Sequence, residues 1–194
     1  MRYQVRIIAG SLRGRKLTVA DTPGLRPLAD RAREALFSIL GNAVPDRPFF
    51  DVFAGSGAVG MEALSRGASA VTFVEREPRA VGDIIRHLEG FGVADQATVL
   101  RADAYRWADK WAVPAEPVNV FLGPPYREFD DHRDAVRWLV TTLQHKLPAG
   151  SVLILQSDAA FPADELPEAA QWDVRHYGRT QLAIWTKPAL SAED

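Results

Sequence analysis

The stretch DVFAGSGAVG at residues 51–60 decides the fold. With the preceding apolar residues it predicts a buried strand that ends at Phe53, and the glycines lead into a helix over 57–66. Glycine allows a sharp turn with no Cβ in the way, and a helix N-terminus offers free N–H groups. Ligands of open α/β sheets bind beyond the carboxyl ends of such strands. We therefore predict a nucleotide-type site formed by Asp51, Phe53, Ala54, Gly55, Ser56 and Gly57.

The rest of the chain alternates between strand and helix patterns. Strands are predicted at 70–75, 97–101, 118–122 and 151–156, helices at 78–91 and 131–146, and a closing hairpin at 172–177 and 180–186. Such alternation is typical of a mostly parallel sheet with helices on both faces. The sequence therefore predicts a Rossmann-like α/β fold with a seven-stranded sheet and an antiparallel hairpin at its edge.

The first 47 residues form a basic extension. Two short strands are predicted within residues 5–20, and a helix runs from an N-cap at Asp30 to Leu40. The turn-rich GNAVPDRP at 41–48 divides the chain into this extension, 1–47, and a main domain, 48–194. The extension has nine Lys or Arg and four Asp or Glu, so its charge is +5 against −7 for the remainder. This asymmetry predicts contact with a polyanion, and a solvated arginine-rich face is the alternative.

Composition narrows the class of protein. A chain of 194 residues with 47% apolar residues suits one packed domain and a small appendage. The sequence has no cysteine, which excludes disulfides, zinc–thiolate sites and cysteine nucleophiles. No apolar run approaches the roughly 18 residues of a membrane span, and the four histidines lack metal-ligand spacing. We expect a cytoplasmic protein, a monomer that uses no membrane and no metal.

Two further acidic residues follow neighbouring strands of the predicted sheet. Glu75, beside Arg76, ends the second strand twenty residues after Gly55, where a carboxylate can accept both hydroxyls of a ribose. Asp103, beside Ala104, follows the third strand and can accept from an adenine amino group. The glycine loop lacks the GK[ST] of a phosphate-binding P-loop. The set favours S-adenosylmethionine as the cofactor, although an NAD site would also have an acid at Glu75.

The fourth strand ends in GPPY, residues 123–126, which separates the two cofactors. It resembles the [D/N]-P-P-[Y/F] loop of methyltransferases that act on amino groups. With IIAGSLRGRKL (7–17), RPLADRAREALFSIL (26–40), DVFAGSGAVGMEALSRGA (51–68) and HYGRTQLAIW (176–185), the chain resembles a bacterial family that methylates a guanine N2 of small-subunit ribosomal RNA, the RsmD type. The resemblance covers nearly the whole chain and implies a class I methyltransferase fold, S-adenosylmethionine as cofactor, and ribosomal RNA or a small-subunit particle as partner.

The resemblance also implies catalytic roles for Gly123, Pro124, Pro125 and Tyr126. The lone pair of an exocyclic amine is delocalised into the base, so two acceptors must hold its N–H bonds while it attacks the methyl group. In the family the acceptors are the first side chain of the motif, an acid or amide, and the carbonyl of the first proline. The two prolines stiffen the loop, and Tyr126 offers a ring for stacking on a flipped base.

This sequence departs from the pattern at Gly123, which has no side chain. Loss of one preorganised hydrogen-bond partner lowers a rate by roughly 10²–10³. The chain is therefore a slow enzyme that relies on Pro124, an enzyme in which Glu128, Asp130 or Asp131 replaces the acid, or a silent protein that binds cofactor or RNA. A second departure is Leu28-Ala29, where the family usually has two threonines.

Several basic residues are predicted to contact RNA phosphates, and such contacts weaken as salt rises. They are Arg6, Arg13, Arg15, Lys16, Arg26 and Arg31, and Arg33 extends the patch. Three alternatives to guanine-N2 transfer stay open. They are adenine N6 transfer on RNA or DNA, a catalytically silent RNA-binding protein, and an NAD oxidoreductase.

Overall fold

The computed structural model describes residues 2–20 and 28–188. In this part of the chain the strands are β1 (Arg2–Arg6), β2 (Lys16–Ala20), β3 (Pro48–Val52), β4 (Ala70–Glu75), β5 (Ala97–Arg101), β6 (Asn119–Leu122), β7 (Val152–Asp158), β8 (Asp173–Tyr177) and β9 (Thr180–Thr186). The α-helices are α1 (Asp30–Leu40), α2 (Ala58–Ser65), α3 (Pro78–Phe91), α4 (Ala104–Lys110), α5 (Arg127–Asp131) and α6 (Arg133–Lys146).

Seven of the described strands form one sheet in the order β5-β4-β3-β6-β7-β9-β8. The five strands from β5 to β7 are parallel, and β9 pairs antiparallel with both β7 and β8. The chain leaves β3 toward β4 on one side and returns to β6 on the other side. This change of direction opens a crevice at the carboxyl end of β3, as expected for doubly wound sheets. The predicted fold class is confirmed.

Side chains of each central strand alternate between the two faces of the sheet, and both faces are covered by helices. Phe49 and Phe50 show this alternation in β3: Phe49 belongs to a cluster with α1, α2 and α3, and Phe50 to one with α4 and α6. A parallel sheet covered on both sides needs such continuous apolar strands. The segments that directly follow β3, β4 and β6 therefore begin between two packed layers.

The N-terminal extension packs into the first cluster. The hairpin of β1 and β2 contributes Val5, Leu17 and Val19 to the same core as Phe49. Glu62 of α2, which is completely buried, accepts hydrogen bonds from the backbone N–H groups of Ile8 at 2.8 Å and Ala9 at 3.1 Å. The division of the chain at residue 47 stays a prediction, while its two parts share one hydrophobic core.

Three local features differ from the sequence predictions. Asp30 is the first residue of α1 and not its N-cap, because its carboxylate accepts from Arg33 at 2.9 Å instead of capping the backbone. The helix predicted over 131–146 is α6, which begins two residues later because φ at His132 is −138°, and the short helix α5 before it was not predicted. Helix α4 was not predicted, since its seven residues are too few to show a helical period.

Candidate active site

A cavity of about 220 Å³ lies at the carboxyl ends of β3, β4 and β6. The glycine loop forms one wall, the end of β4 a second wall, and the loop after β6 the third. Most residues of the predicted cofactor and catalytic sets line it. They are Asp51, Phe53, Ala54, Gly55, Ser56, Glu75, Arg76, Ala104, Gly123, Pro124, Pro125 and Tyr126.

The glycine loop turns sharply through left-handed backbone conformations. The φ angles are 61° at Phe53, 53° at Gly55 and 73° at Gly57, the residue before α2. Such angles are uncommon for a side chain such as that of Phe53, and strained residues of this kind cluster at ligand sites. Gly57 does not line the cavity, so its role is to shape the turn, and its N–H donates to the Ala54 carbonyl at 2.8 Å.

Asp51 lies beneath this loop and is 1% exposed. Its Oδ2 accepts from the Gly60 N–H of α2 at 2.8 Å, which ties the strand to the helix. Burial raises the pKa of Asp51 to about 7, with a smaller contribution from the nearby Glu75 carboxylate, while the Gly60 hydrogen bond acts in the opposite direction. The Asp51 carboxylate is therefore poised to change charge near neutral pH.

Glu75 organises the loop as well as lining the cavity. Its Oε2 accepts from the Gly55 N–H at 2.8 Å, and its Oε1 accepts from the Glu77 N–H at 2.8 Å. The side chain is buried, and each carboxylate oxygen keeps a further lone-pair direction. Glu75 can therefore hold the loop and still accept a hydrogen bond from a ligand hydroxyl.

Asp103 has a structural task that its sequence position did not reveal. Its Oδ1 caps α4 by accepting from the N–H groups of Tyr105 and Arg106, both at 3.1 Å. Ala102 and Ala104 on either side line the cavity, whereas Asp103 does not. The predicted contact between Asp103 and an adenine stays a prediction, and it would use the second carboxylate oxygen.

The loop after β6 faces the glycine loop across the cavity. Pro124 is buried, and the Gly123 N–H donates to the Val52 carbonyl at 3.0 Å, so the loop is anchored to β3. A Cβ added at Gly123 would lie 3.0 Å from Cε1 of Phe121 and 3.8 Å from the Phe53 carbonyl oxygen. A side chain therefore fits at Gly123 if the Phe121 ring moves by a few tenths of an ångström.

The acids that could replace the missing side chain do not line this cavity. Glu128 is 4% exposed and turns away, accepting from the Tyr105 hydroxyl at 3.0 Å and pairing with Arg76 at 3.8 Å. Burial and this hydrogen bond raise the pKa of Tyr105. Asp130 borders a different cavity and Asp131 is exposed. None of these three carboxylates therefore lines the cavity beside the loop after β6.

Leu28 and Gln156 are among the residues that line the cavity but were not predicted from the sequence as site residues. Leu28, one of the two departures from the family pattern, is buried there as an apolar contact. Gln156 ends the apolar run of β7 with a polar side chain that faces the cavity. A buried polar residue at the end of a parallel strand was the sequence signal for Gln156.

A second cavity of about 450 Å³ adjoins the first at Pro125, Tyr126 and Arg127. Arginines 127, 133 and 179 line it with Asp130 and Asp158. Arg133 is paired with Glu165 at 3.1 Å, whereas Arg127 and Arg179 are exposed and have no ion pair within the described residues. Two unpaired cations therefore flank the outer side of the GPPY loop.

The predicted basic patch is spread over the surface. Arg6, Arg13, Arg15, Lys16 and Arg31 are exposed, and Arg26 lies outside the described residues. The turn after β1 contacts the carboxyl ends of α2 and α3, with the Arg15 guanidinium 5.4 Å from the centre of the Phe91 ring. Since α3 begins at the cavity and has 14 residues, Arg15 lies roughly 20 Å from it. Arg33 is completely buried between Asp30 and Glu62.

Within residues 2–20 and 28–188, no helix is both long and apolar enough to cross a membrane. No group of three His, Cys, Asp or Glu side chains among these residues is arranged to hold a metal ion.

Comparison with known proteins fixes the family. A family model described as Conserved hypothetical protein 95 matches residues 5–186. The chain belongs to this family. Its relatives include the Ribosomal RNA small subunit methyltransferase D of Escherichia coli (strain K12), which is 43% identical over 124 residues. This alignment covers 64% of the chain and 61% of that relative, so the chain matches less than two thirds of its length.

Two other members align over nearly their full length. The Bacillus subtilis (strain 168) protein "Putative rRNA methyltransferase YlbH" is 32% identical over 188 residues, 94% of the chain and 99% of that protein. The solved structure "Putative methyltransferase yhhF from Escherichia coli" superposes with a TM-score of 0.77 at 31% identity and covers 96% of the chain and 99% of its own. The RsmD-type family predicted from the sequence is confirmed.

Proposed function

We propose that the protein transfers a methyl group from S-adenosylmethionine to the exocyclic N2 amine of a guanine in small-subunit ribosomal RNA. The observation that carries the proposal is the single cavity in which the glycine loop with Asp51 and Glu75 faces the GPPY loop. One wall suits an adenosine with a charged amino acid, and the opposite wall suits a flat base. The family relatives named as ribosomal RNA methyltransferases support the choice of substrate.

Each wall has a distinct task in this proposal. Glu75 accepts hydrogen bonds from the ribose hydroxyls, and Asp103 accepts from the adenine amine. The ionised Asp51 attracts the ammonium group of the methionine end, and Gly55 lets the backbone approach the cofactor closely. The carbonyl of Pro124 accepts one N–H of the target amine while Tyr126 stacks on the base. The amine then attacks the methyl carbon in line with the departing sulfur.

The RNA is held by cations on both sides of this reaction centre. Arg127 and Arg179 border the cavity beside the GPPY loop, close enough to meet phosphates that flank a flipped guanosine. Arg13, Arg15 and Lys16 lie about one helix length away and meet the RNA only if the substrate is long. This arrangement favours a folded RNA or a particle over a short oligonucleotide.

One specific observation favours a second candidate function. Gly123 supplies no acceptor, and Glu128 is held by Tyr105 and Arg76. A protein with this loop could bind cofactor and RNA without transferring a methyl group. Adenine N6 transfer needs the same acceptors as guanine N2 transfer, so the product of the reaction must distinguish the two.

Calorimetry with S-adenosylmethionine and with NAD tests the cofactor. We expect binding of S-adenosylmethionine and none of NAD. Glu75→Gln replaces one acceptor oxygen by a donor, so it should weaken S-adenosylmethionine roughly ten- to a hundredfold, the effect of one charged hydrogen bond. Glu116→Gln, at an exposed loop position, is the control and should bind normally. Tight binding of NAD without binding of S-adenosylmethionine would refute the proposal.

A further inference from the structure

Gln156 is a buried polar side chain that faces the cavity. It is 5% exposed, lines the cavity from the second half of β7, and forms no side-chain hydrogen bond to the described part of the chain. Gln181 on the neighbouring strand is 2% exposed and donates to Ser157 Oγ at 3.2 Å and to the Phe161 carbonyl at 3.3 Å. Buried amides are normally bonded in this way, so an unbonded one that faces a cavity indicates a ligand.

The register of the sheet brings Gln156 beside Gly123. Strands β6 and β7 are parallel, with Leu122 opposite Leu155, so the next residues along are Gly123 and Gln156. Phe121 and Ile154, two residues before Gly123 and Gln156 on their strands, belong to the same core cluster. Alternation therefore directs Gln156 and the absent side chain of Gly123 to one face, on strands about 4.8 Å apart. The glycine leaves the Gln156 amide uncovered.

Gln156 lies at the base-binding end of the cavity. The strand order β4-β3-β6-β7 puts it two strands beyond β3, while Glu75 at the end of β4 lies on the other side of β3. Its closest neighbours on the cavity wall are on the loop with Pro124, not on the wall proposed to hold the adenosine. Gln156 is therefore placed to bond to the substrate base and not to the ribose of the cofactor.

We propose that Gln156 Oε1 is the second acceptor for the target amine, in place of the side chain that Gly123 lacks. This inference rests on the proposed function. The Pro124 carbonyl and Gln156 Oε1 each accept one N–H, which turns the nitrogen lone pair toward the methyl group. An amide oxygen suits this task because it is an acceptor that stays uncharged at every pH of the assay.

The step is balanced without a further reagent. The amine nitrogen uses its lone pair to form the N–C bond, the S–C bond breaks, and its electrons stay on sulfur, which becomes a neutral thioether. The alkylated nitrogen then loses one proton to water. Gln156 neither gains nor loses a proton, so its contribution is to orient the amine and to stabilise the positive charge that develops on the nitrogen.

Methyl transfer by four variants, each compared with the unaltered protein, tests the inference with ribosomal RNA as substrate at pH 8. Gln156→Met keeps the length of the side chain and removes the acceptor, so kcat should fall roughly 10²–10³-fold while S-adenosylmethionine binds within twofold of normal. Gln156→Glu keeps an acceptor and should retain kcat within about tenfold. Adding Gly123→Asp to the Gln156→Met variant should raise kcat at least tenfold above that of Gln156→Met alone. Gly123→Ala in that background adds only the Cβ and should restore nothing.

The outcomes separate the inference from the proposed function. If Gln156→Met keeps kcat within threefold, or if Gln156→Glu is as slow as Gln156→Met, Gln156 is not the acceptor and the inference is overturned alone. If the unaltered protein binds S-adenosylmethionine but methylates no RNA, the proposed function fails and the inference fails with it. A loss of activity with an equal loss of folding stability in both Gln156 variants would assign Gln156 a structural role instead.

Discussion

At the scale of single residues, the site depends on carboxylates that the fold has removed from water. Asp51 is the clearest case, because its pKa rises to about 7 through burial. The folded protein therefore holds this proton more tightly than the unfolded chain does, in which the pKa is near 3.8. Ionisation of Asp51 destabilises the fold; this penalty is absent below about pH 4 and complete above about pH 7.

Asp51→Asn should remove this pH-dependent penalty. Relative to the unaltered protein, the free energy of unfolding of the variant should rise between pH 5 and pH 8 by roughly 3 kcal/mol, since about two pKa units of the shift lie above pH 5 and each is worth about 1.36 kcal/mol. The Asn oxygen can still accept from Gly60, so the strand and helix stay joined. Urea denaturation at the two pH values measures the difference. Asp95→Asn, at an exposed position, is the control, and an equal pH response of the two variants would contradict the assignment.

The position of these residues in the site could be predicted from the sequence, but their hydrogen-bond partners could not. Asp51, Glu75 and the GPPY loop were placed at one edge of the sheet because parallel strands end together. The hydrogen bonds of Glu75 to Gly55 and Glu77 could not be predicted, since they depend on how the loop folds back over β4. Gln156 was missed because a single polar residue at the end of an apolar run also suits an ordinary strand end.

At the scale of elements, the cavity depends on how closely α2 packs on β4. Gly60 of α2 allows the contact, because a Cβ there would lie 2.3 Å from Cε1 of Phe73, which is completely buried. The first turn of α2 forms one side of the cavity through Ala58 and Val59. The approach of these two elements therefore sets the width of the site.

Gly60→Ala should push α2 away from β4 and destabilise the protein. Overpacking of a core typically lowers the free energy of unfolding by about 1–3 kcal/mol. Gly82→Ala is the matched control, because Gly82 lies within α3 and has nothing within 4 Å of an added Cβ. That variant should gain roughly 0.5–1 kcal/mol from helix propensity. Chemical denaturation compares the two, and equal stability changes would contradict this account of the packing.

The long elements were predictable from pattern, and the short ones were not. Strands β3, β4 and β7 and helix α3 have apolar runs or amphipathic periods that span most of their length. Helix α4 has seven residues and is capped by Asp103, an acid that was predicted from the sequence to bind adenine. Its start was decided by the capping hydrogen bonds of Asp103, which a residue pattern does not distinguish from a ligand contact.

At the scale of the whole molecule, the N-terminal extension is net positive and the main domain is net negative. The extension has a charge of +5, but its exposed turn lies about 20 Å from the cavity, whereas Arg127 and Arg179 lie beside it. The N-terminal turn and the cavity rim can therefore touch one RNA only if that RNA is extended or folded over this distance. The charge asymmetry was readable from the sequence, and the separation was not, because the direction of the hairpin depends on its packing against α2 and α3.

Salt dependence of RNA binding should distinguish the two basic regions. Replacing both Arg127 and Arg179 by Ala should lower the slope of log K against log salt by about 1.4–1.8 on any RNA, at 0.7–0.9 per phosphate contact. Replacing both Arg13 and Arg15 should lower the slope on ribosomal RNA and leave it unchanged on a short oligonucleotide. Arg175→Ala is the control, since that residue pairs with Asp173 on the edge strand. An unchanged slope in both pairs would contradict an RNA substrate.

The central claim is methyl transfer to a guanine N2, and product analysis tests it most directly. Unmethylated small-subunit RNA, free or in particles, is incubated with the unaltered protein and labelled S-adenosylmethionine, and the nucleosides are then separated. The account predicts label in N2-methylguanosine alone. Label in N6-methyladenosine, or no label in either free RNA or particles, would contradict it.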